Sequence, residues 1–176
     1  LGLNQRIIAN ILSRLYCGRR RLFDEGPELI NYFLSTSLLA EKKFYKDRVF
    51  ISLVLIPIPF WLFLYIYKGF QQVEDLKLFF TLILLYPILE EILFRGLIQP
   101  TIAKQFSKNW LIISQANLIT SALFVSLHFI SHPPLWALAV IIPSITFGYI
   151  QERVNHILAP ITLHTTYNAG YFLMLG

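Results

Sequence analysis

The sequence predicts an all-α fold, a polytopic transmembrane helical bundle of about five spans preceded by N-terminal amphipathic, interfacial helices. Three observations carry that expectation. The 176 residues are 56% hydrophobic and only 14% charged, with a mean hydropathy of +0.59, whereas a soluble domain carries roughly a quarter charged residues. The apolar residues gather in runs long enough to cross a bilayer. The few ionisable groups inside those runs are the third signal, because at bilayer depth such groups are costly and are ordinarily paired, turned inward and functional.

Residues 1–48 form a basic segment and 49–176 a membrane domain. Over residues 1–22, Leu3, Ile7, Ile11 and Leu15 recur on one helical face and Arg6, Arg14 and Arg19 to Arg21 supply cationic anchors, a pattern for a helix lying on the membrane. Packing of that helix on the rest of the protein explains the same pattern. Residues 23–28 break the chain, and 29–40 is too short to span. No cleavable signal peptide is expected, since Arg6 and Arg14 interrupt the first apolar run.

The expected spans follow in order. The first is Val49 to Tyr67, kinked by Pro57 and Pro59 and ending in Trp61, Tyr65 and Tyr67, an aromatic belt. The second runs from Leu76 to Ile98, the third from Trp110 to Ile130, the fourth from Pro134 to Ile150 and the fifth from His156 to Leu175. Five spans place twelve Lys/Arg on the N-terminal side and only Lys68 and Lys77 opposite. The positive-inside rule then puts the N-terminus in the cytoplasm and the C-terminus across the membrane, with a bacterial plasma membrane as the expected location. The net charge of +5 is concentrated in the first 48 residues, nine Lys/Arg against five Asp/Glu. That asymmetry suits a lipid surface, and no nucleic-acid partner is expected. Cys17 is the only cysteine, which excludes an internal disulfide and a multi-cysteine metal site.

The second span holds Leu89-Glu90-Glu91-Ile92-Leu93-Phe94-Arg95-Gly96. On a helix Glu91 and Arg95 lie four apart with the acid N-terminal, the better order for an ion pair. Glu90 points about 100° away and stays available for chemistry. Phe124 and His128 share a face of the third span, as do His164 and Asn168 of the fifth; Gln115 and Asn117 lie near the start of the third. His132 and His156 sit at span ends and read as loop residues. A buried polar network that only holds helices together is the bland account of such groups.

These groups also permit catalysis. Glu90 suits a general base that, beside a histidine, activates water for attack on a carbonyl. His164 and Asn168 suit donors to a developing oxyanion. No Ser or Cys stands beside a base as a nucleophile, and Ser126 lies on a different face from His128, so direct attack by water is preferred over a covalent intermediate. The rival chemistry is a metal site, with Glu90, His128 and His164 as three ligands to zinc and an open position for water. No cofactor is expected in the preferred reading.

One geometric difficulty follows from regular helices. Glu90 lies about 21 Å from the start of a helix beginning at Leu76, while His128 falls at the end of its own span. A break or strong kink near Tyr86-Pro87, with Pro87 opening a new helix over 87–106, is expected to bring them level.

In combination, Glu90-Glu91-x-x-x-Arg95-Gly96, Phe124-x-x-x-His128 and His164-x-x-x-Asn168 resemble the CPBP family, the CAAX-protease and bacteriocin-processing (Abi) group that includes Rce1-like prenyl-protein endopeptidases. Gly148 to His164 resembles the stretch before that family's last histidine, and the likeness covers roughly residues 80–172. The resemblance implies a glutamic-type intramembrane endopeptidase. It implies Glu90 as base, His128 binding and polarising the water, His164 and Asn168 completing the oxyanion environment, and Glu91 with Arg95 holding the site in shape. Its substrate would be a membrane-associated peptide or protein, prenylated C-termini among the candidates. The chain is shorter in spans than the eukaryotic endopeptidase. Two other classes stand beside this one: a non-catalytic scaffold or immunity-type protein of the same fold, and a proton-coupled transporter carrying Glu90, for which no internal repeat is found.

Overall fold

Side-chain caps open three of the described helices. In the computed structural model, which describes residues 43–175, Asp47 accepts the Val49 and Phe50 N–H groups and opens α1 (Arg48–Leu55). A two-residue turn at Ile56-Pro57 leads into α2 (Ile58–Lys68), closed by Gly69 at a φ of 76°. The expected kink in the first span is thus a short interruption at its prolines. The N-terminal helices expected over 1–22 and 29–40 lie outside the described residues.

Asp75 caps the next helix through Leu78 N–H, and from there residues 76–103 run on with no break in the helix, an irregular π turn standing directly before Pro87. Five segments succeed one another: α3 (Leu76–Phe80), a π turn (Thr81–Leu85), α4 (Tyr86–Glu91), a second π turn (Ile92–Ile98) and α5 (Gln99–Ala103). Pro87 therefore lies inside a continuous helix and does not start one. The physical reason is visible in the placement of both prolines. A proline in a helix lacks an N–H and clashes with the carbonyl four residues back. For Pro87 and Pro100 that carbonyl belongs to Ile83 and Gly96, each inside a π turn, where the wider i→i+5 pattern takes up the misfit.

A two-stranded antiparallel hairpin follows, β1 (Asn109–Trp110) with β2 (Ile113–Ser114), turned at Leu111 with a φ of 56°. Ser114 then caps α6 (Gln115–His128) by accepting from Asn117 N–H. The chain closes with α7 (Pro134–Ala139), α8 (Ile141–Val154) and α9 (Leu158–Met174), with Asn155 in the left-handed region ending α8.

Two helical stretches among the described residues are long and apolar enough to cross a membrane, Arg48–Lys68 and Pro134–Val154, each of 21 residues. Five such spans are not shown. α6 has 14 residues, about 21 Å at 1.5 Å per residue, short of the ~30 Å hydrocarbon core. α9 has 17 residues, and the central helix carries Lys77, Glu90, Glu91 and Arg95.

Burial is inverted relative to a soluble domain. Leu62, Phe63, Ile66, Leu89, Leu93 and Leu127 are exposed, while Glu91, Arg95, Gln99, Asn117, Ser121 and Ser144 are buried. Apolar outside and polar between helices is the arrangement lipid favours. The apolar core joins Phe50 to Phe147, Ile150, Val154, Ala159 and Leu163. Two glycines permit the closest approaches: a Cβ on Gly148 would stand 2.1 Å from Asn117 Oδ1, and one on Gly170 2.1 Å from the Trp61 ring.

The loops sort into two ends. Arg153 pairs with Asp47 at 3.1 Å, Phe44 packs on His156 with ring centroids 4.8 Å apart, and Ser114 donates to Glu152. The Asp47–Arg153 bond, with two backbone N–H groups, holds the Asp47 carboxyl below its ordinary range. At the far end Gln71 N–H donates to Leu173 O at 2.8 Å.

Candidate active site

The adjacent glutamates are separated by what surrounds them. Glu91 is fully buried, and its Oε1 accepts from Arg95 Nη1 at 3.2 Å. Arg95 is equally buried; its Nη2 donates to the Ser144 carbonyl at 2.9 Å and the Ser144 hydroxyl at 2.6 Å. Its guanidinium lies 4.7 Å from the centroid of Phe124, with Phe94 and Phe147 at 5.9 and 5.8 Å. A buried ion pair needs such extra partners to offset desolvation. Glu90, one residue earlier, keeps a third of its side chain exposed.

His164 connects the two acids. Its Nδ1 stands 2.8 Å from Glu91 Oε1, and its Nε2 stands 3.7 Å from Glu90 Oε2. A carboxylate held by an arginine only accepts, so Nδ1 carries the proton and Nε2 faces Glu90. The ring lies flat against Phe147, centroids 4.8 Å apart. The spacing of Glu91 and Arg95 predicted their pair; the structure adds that the same carboxylate orients His164.

Phe124 brings in the third helix. Its ring packs edge-on against Phe94 at 4.9 Å and lies 6.1 Å from His164 and 4.6 Å from His128. α6 runs antiparallel to the central helix. One turn back from Phe94 is Glu90, and one turn on from Phe124 is His128, so the two sit at similar depth without a helix break. His128 Nδ1 is 2.9 Å from the Phe124 carbonyl. A carbonyl only accepts, so here too Nδ1 holds the proton and Nε2 is left free.

Asn168 lies one turn beyond His164 and donates from Nδ2 to Leu82 O at 3.0 Å. In the π turn Tyr86 N–H reaches back to Thr81 O. The next carbonyl, Leu82, would receive the N–H that Pro87 lacks. Asn168 supplies that donor and keeps a second amide hydrogen.

Gln99 and Ser144 escaped the sequence reading. Gln99, one turn after Arg95, donates from Nε2 to Gly148 O at 3.2 Å and to Glu152 Oε1 at 2.7 Å. Glu91, Arg95 and Gln99 thus form a ladder at four-residue spacing against Ser144, Gly148 and Glu152, which repeat at the same interval. That double periodicity was the available signal. Asn117 seals the seam, donating to Ile145 O at 2.9 Å and accepting from Ser121. His132, expected in a loop, does lie in the loop between α6 and α7, and its ring meets those of both His128 and Trp136.

Among the described residues no three His, Cys, Asp or Glu side chains are grouped to hold a metal ion, and Glu90, His128 and His164 are no such group. A groove of about 290 Å³ lies beyond the site toward the far end, between residues 72–75 and Phe172, with Leu82 on its wall.

Compared with family models, residues 72–170 match the one described as type II CAAX prenyl endopeptidase Rce1-like. The match spans the central helix and α9 as far as residue 170. No curated protein and no solved structure matches the chain.

Proposed function

Because this chain belongs to the Rce1-like family of type II CAAX prenyl endopeptidases, a family of membrane-embedded proteases, we propose that it is an intramembrane endopeptidase of the glutamic type. Its substrate is a membrane-associated peptide or protein that approaches from the bilayer, prenylated C-termini being one candidate. The observation that carries this reading is the ordering of Glu91, His164 and Glu90: a buried carboxylate fixes the imidazole, which turns its other nitrogen toward a partly exposed carboxylate.

Glu90 takes a proton from water as that water attacks the scissile carbonyl, then returns it to the departing amine. His128 binds the same water through Nε2. Asn168 offers its remaining amide hydrogen to the developing oxyanion, joined by His164 through Nε2 when that nitrogen is protonated. Glu91, Arg95 and Phe124 hold the geometry. The basic loops gathered near Asp47 and Arg153 favour a cytoplasmic placement for that end, in a bacterial plasma membrane.

The test is cleavage in liposomes by wild type and Glu90→Gln against a peptide library including prenylated C-termini, with and without a strong chelator. Loss of product in the variant alone supports the glutamic mechanism. Loss with chelator, restored by zinc, replaces it with a metal mechanism. Retained cleavage in Glu90→Gln overturns the assignment of the base. A wild type that cleaves nothing, yet binds a partner unchanged by the substitution or moves protons dependent on Glu90, points to a scaffold or a transporter.

A further inference from the structure

His128 is clamped from both sides, and the outer half of the clamp belongs to another helix. On the inner side stands Phe124, whose carbonyl takes Nδ1–H and whose ring lies 4.6 Å away. On the outer side the imidazole stacks with Trp136, centroids 6.0 Å apart at 27°, and with His132 at 5.8 Å and 21°. His132 and Trp136 themselves lie only 4.0 Å apart. His128 is the last residue of α6, where the backbone alone holds a side chain least firmly.

Trp136 is itself tethered. Its indole Nε1 donates to the Tyr171 hydroxyl at 3.0 Å, and the two rings meet edge-on at 5.9 Å. Tyr171 sits on α9, three residues after Asn168 and seven after His164. The contact therefore closes a loop: α6 holds His128, α7 holds Trp136, and α9 holds both Tyr171 and the other candidate polar groups.

We propose that Trp136, fixed by Tyr171, is a positioning residue that sets the ring orientation of His128 relative to His164 and Asn168. The indole touches the imidazole, and no contact with the reacting atoms is assigned to it. Without the indole, the ring is free to turn about its Cβ–Cγ bond, break the Nδ1–H bond to Phe124 and point Nε2 elsewhere. Misplacement of a reacting group by about 1 Å costs on the order of a hundredfold in rate.

This inference rests on the peptidase reading, so its test needs a readout independent of cleavage. Ring-¹⁵N-labelled histidine in detergent micelles reports the tautomer of each imidazole, with His128→Gln used for assignment. Wild type is expected to show His128 as a single Nδ1–H tautomer. Trp136→Leu should give a mixture, and Trp136→Phe with Tyr171→Phe should show how much the stack and the tether each contribute. In the cleavage assay, Trp136→Leu should lower kcat about tenfold to a hundredfold with KM unchanged. Adding Tyr171→Phe should cost little more, because both act through one ring.

An unchanged His128 tautomer in Trp136→Leu overturns the inference, whatever happens to the rate. So does a kcat that equals wild type, or a purely additive double variant. A changed tautomer in Trp136→Leu, together with a wild type that cleaves nothing, supports the positioning and removes the peptidase reading instead.

Discussion

Glu91 Oε1 receives both Arg95 Nη1 at 3.2 Å and His164 Nδ1 at 2.8 Å. One oxygen on one helix thereby fixes a cation one turn away and an imidazole on the last helix. Its neighbour Glu90 remains partly open to its surroundings. Two identical side chains, adjacent in sequence, are thus set in different surroundings, one buried and paired, the other partly exposed.

Substitution at the two positions should therefore separate stability from chemistry. Glu91→Gln leaves Arg95 buried without a counter-charge, and breaking a buried pair costs about 3–5 kcal/mol. It also places an amide NH2 donor where His164 met only an acceptor, so the Nδ1–H tautomer is no longer enforced and any folded fraction should cleave at least about a thousandfold more slowly. Glu90→Gln should leave the unfolding midpoint near wild type while abolishing product. Thermal unfolding in detergent, read beside the cleavage assay, checks both.

Gly148→Ala and Gly170→Ala should each destabilise the bundle, by about 1–3 kcal/mol. The first pushes a methyl into the Asn117 amide, which is held by Ile145 and Ser121; the second pushes one into the Trp61 indole. Trp61→Leu should partly restore Gly170→Ala and leave Gly148→Ala unaffected. Denaturant midpoints of the singles and the double would show it.

The Asp47–Arg153 pair gives a pH dependence with a definite sign. The carboxyl is held below its ordinary 3.8, first by the Arg153 hydrogen bond. The unfolded chain thus binds the proton more readily. The contribution is fully present above that ordinary value and is lost as pH falls through the lower folded one. Asp47→Asn should flatten this acid limb while keeping the helix cap, and high salt should shrink the difference, since the pair is exposed. Unfolding midpoints between pH 2 and 6 test it.

Leu111 occupies a hairpin position with φ of 56° and is 100% exposed. A side chain there is strained by about 1–2 kcal/mol and gains no packing among the described residues. Leu111→Gly should raise the unfolding midpoint in detergent. A midpoint that falls would mean the leucine side chain is held by a contact outside the described residues.

Much of the site was legible because helical spacing is local. Glu91 with Arg95, Phe124 with His128, and His164 with Asn168 are each one turn apart, and no knowledge of packing is needed to pair them. What could not be read depends on neighbours. Ser144 and Glu152 look ordinary until Arg95 and Gln99 are placed against them. A break or strong kink at Pro87 was expected because regular helices put Glu90 and His128 at different depths; that Asn168, 81 residues later, donates to the stranded Leu82 carbonyl lies beyond any local rule. Span lengths failed for a related reason. Trp110 to Ile130 is continuously apolar enough to read as one run, but Ser114 caps Asn117 and delays the helix to Gln115.

Two π turns, each just ahead of a proline, flank the segment Tyr86–Glu91. Each i→i+5 turn accommodates an extra residue, so the azimuth of the segment is indexed by Pro87 and Pro100 and not by counting from either end of the helix. The flanks can present one meridian to lipid while the glutamates between them face another. A rigid rod would have to compromise between these directions; this one is phased in three independent sections, and its catalytic candidates sit in the middle one.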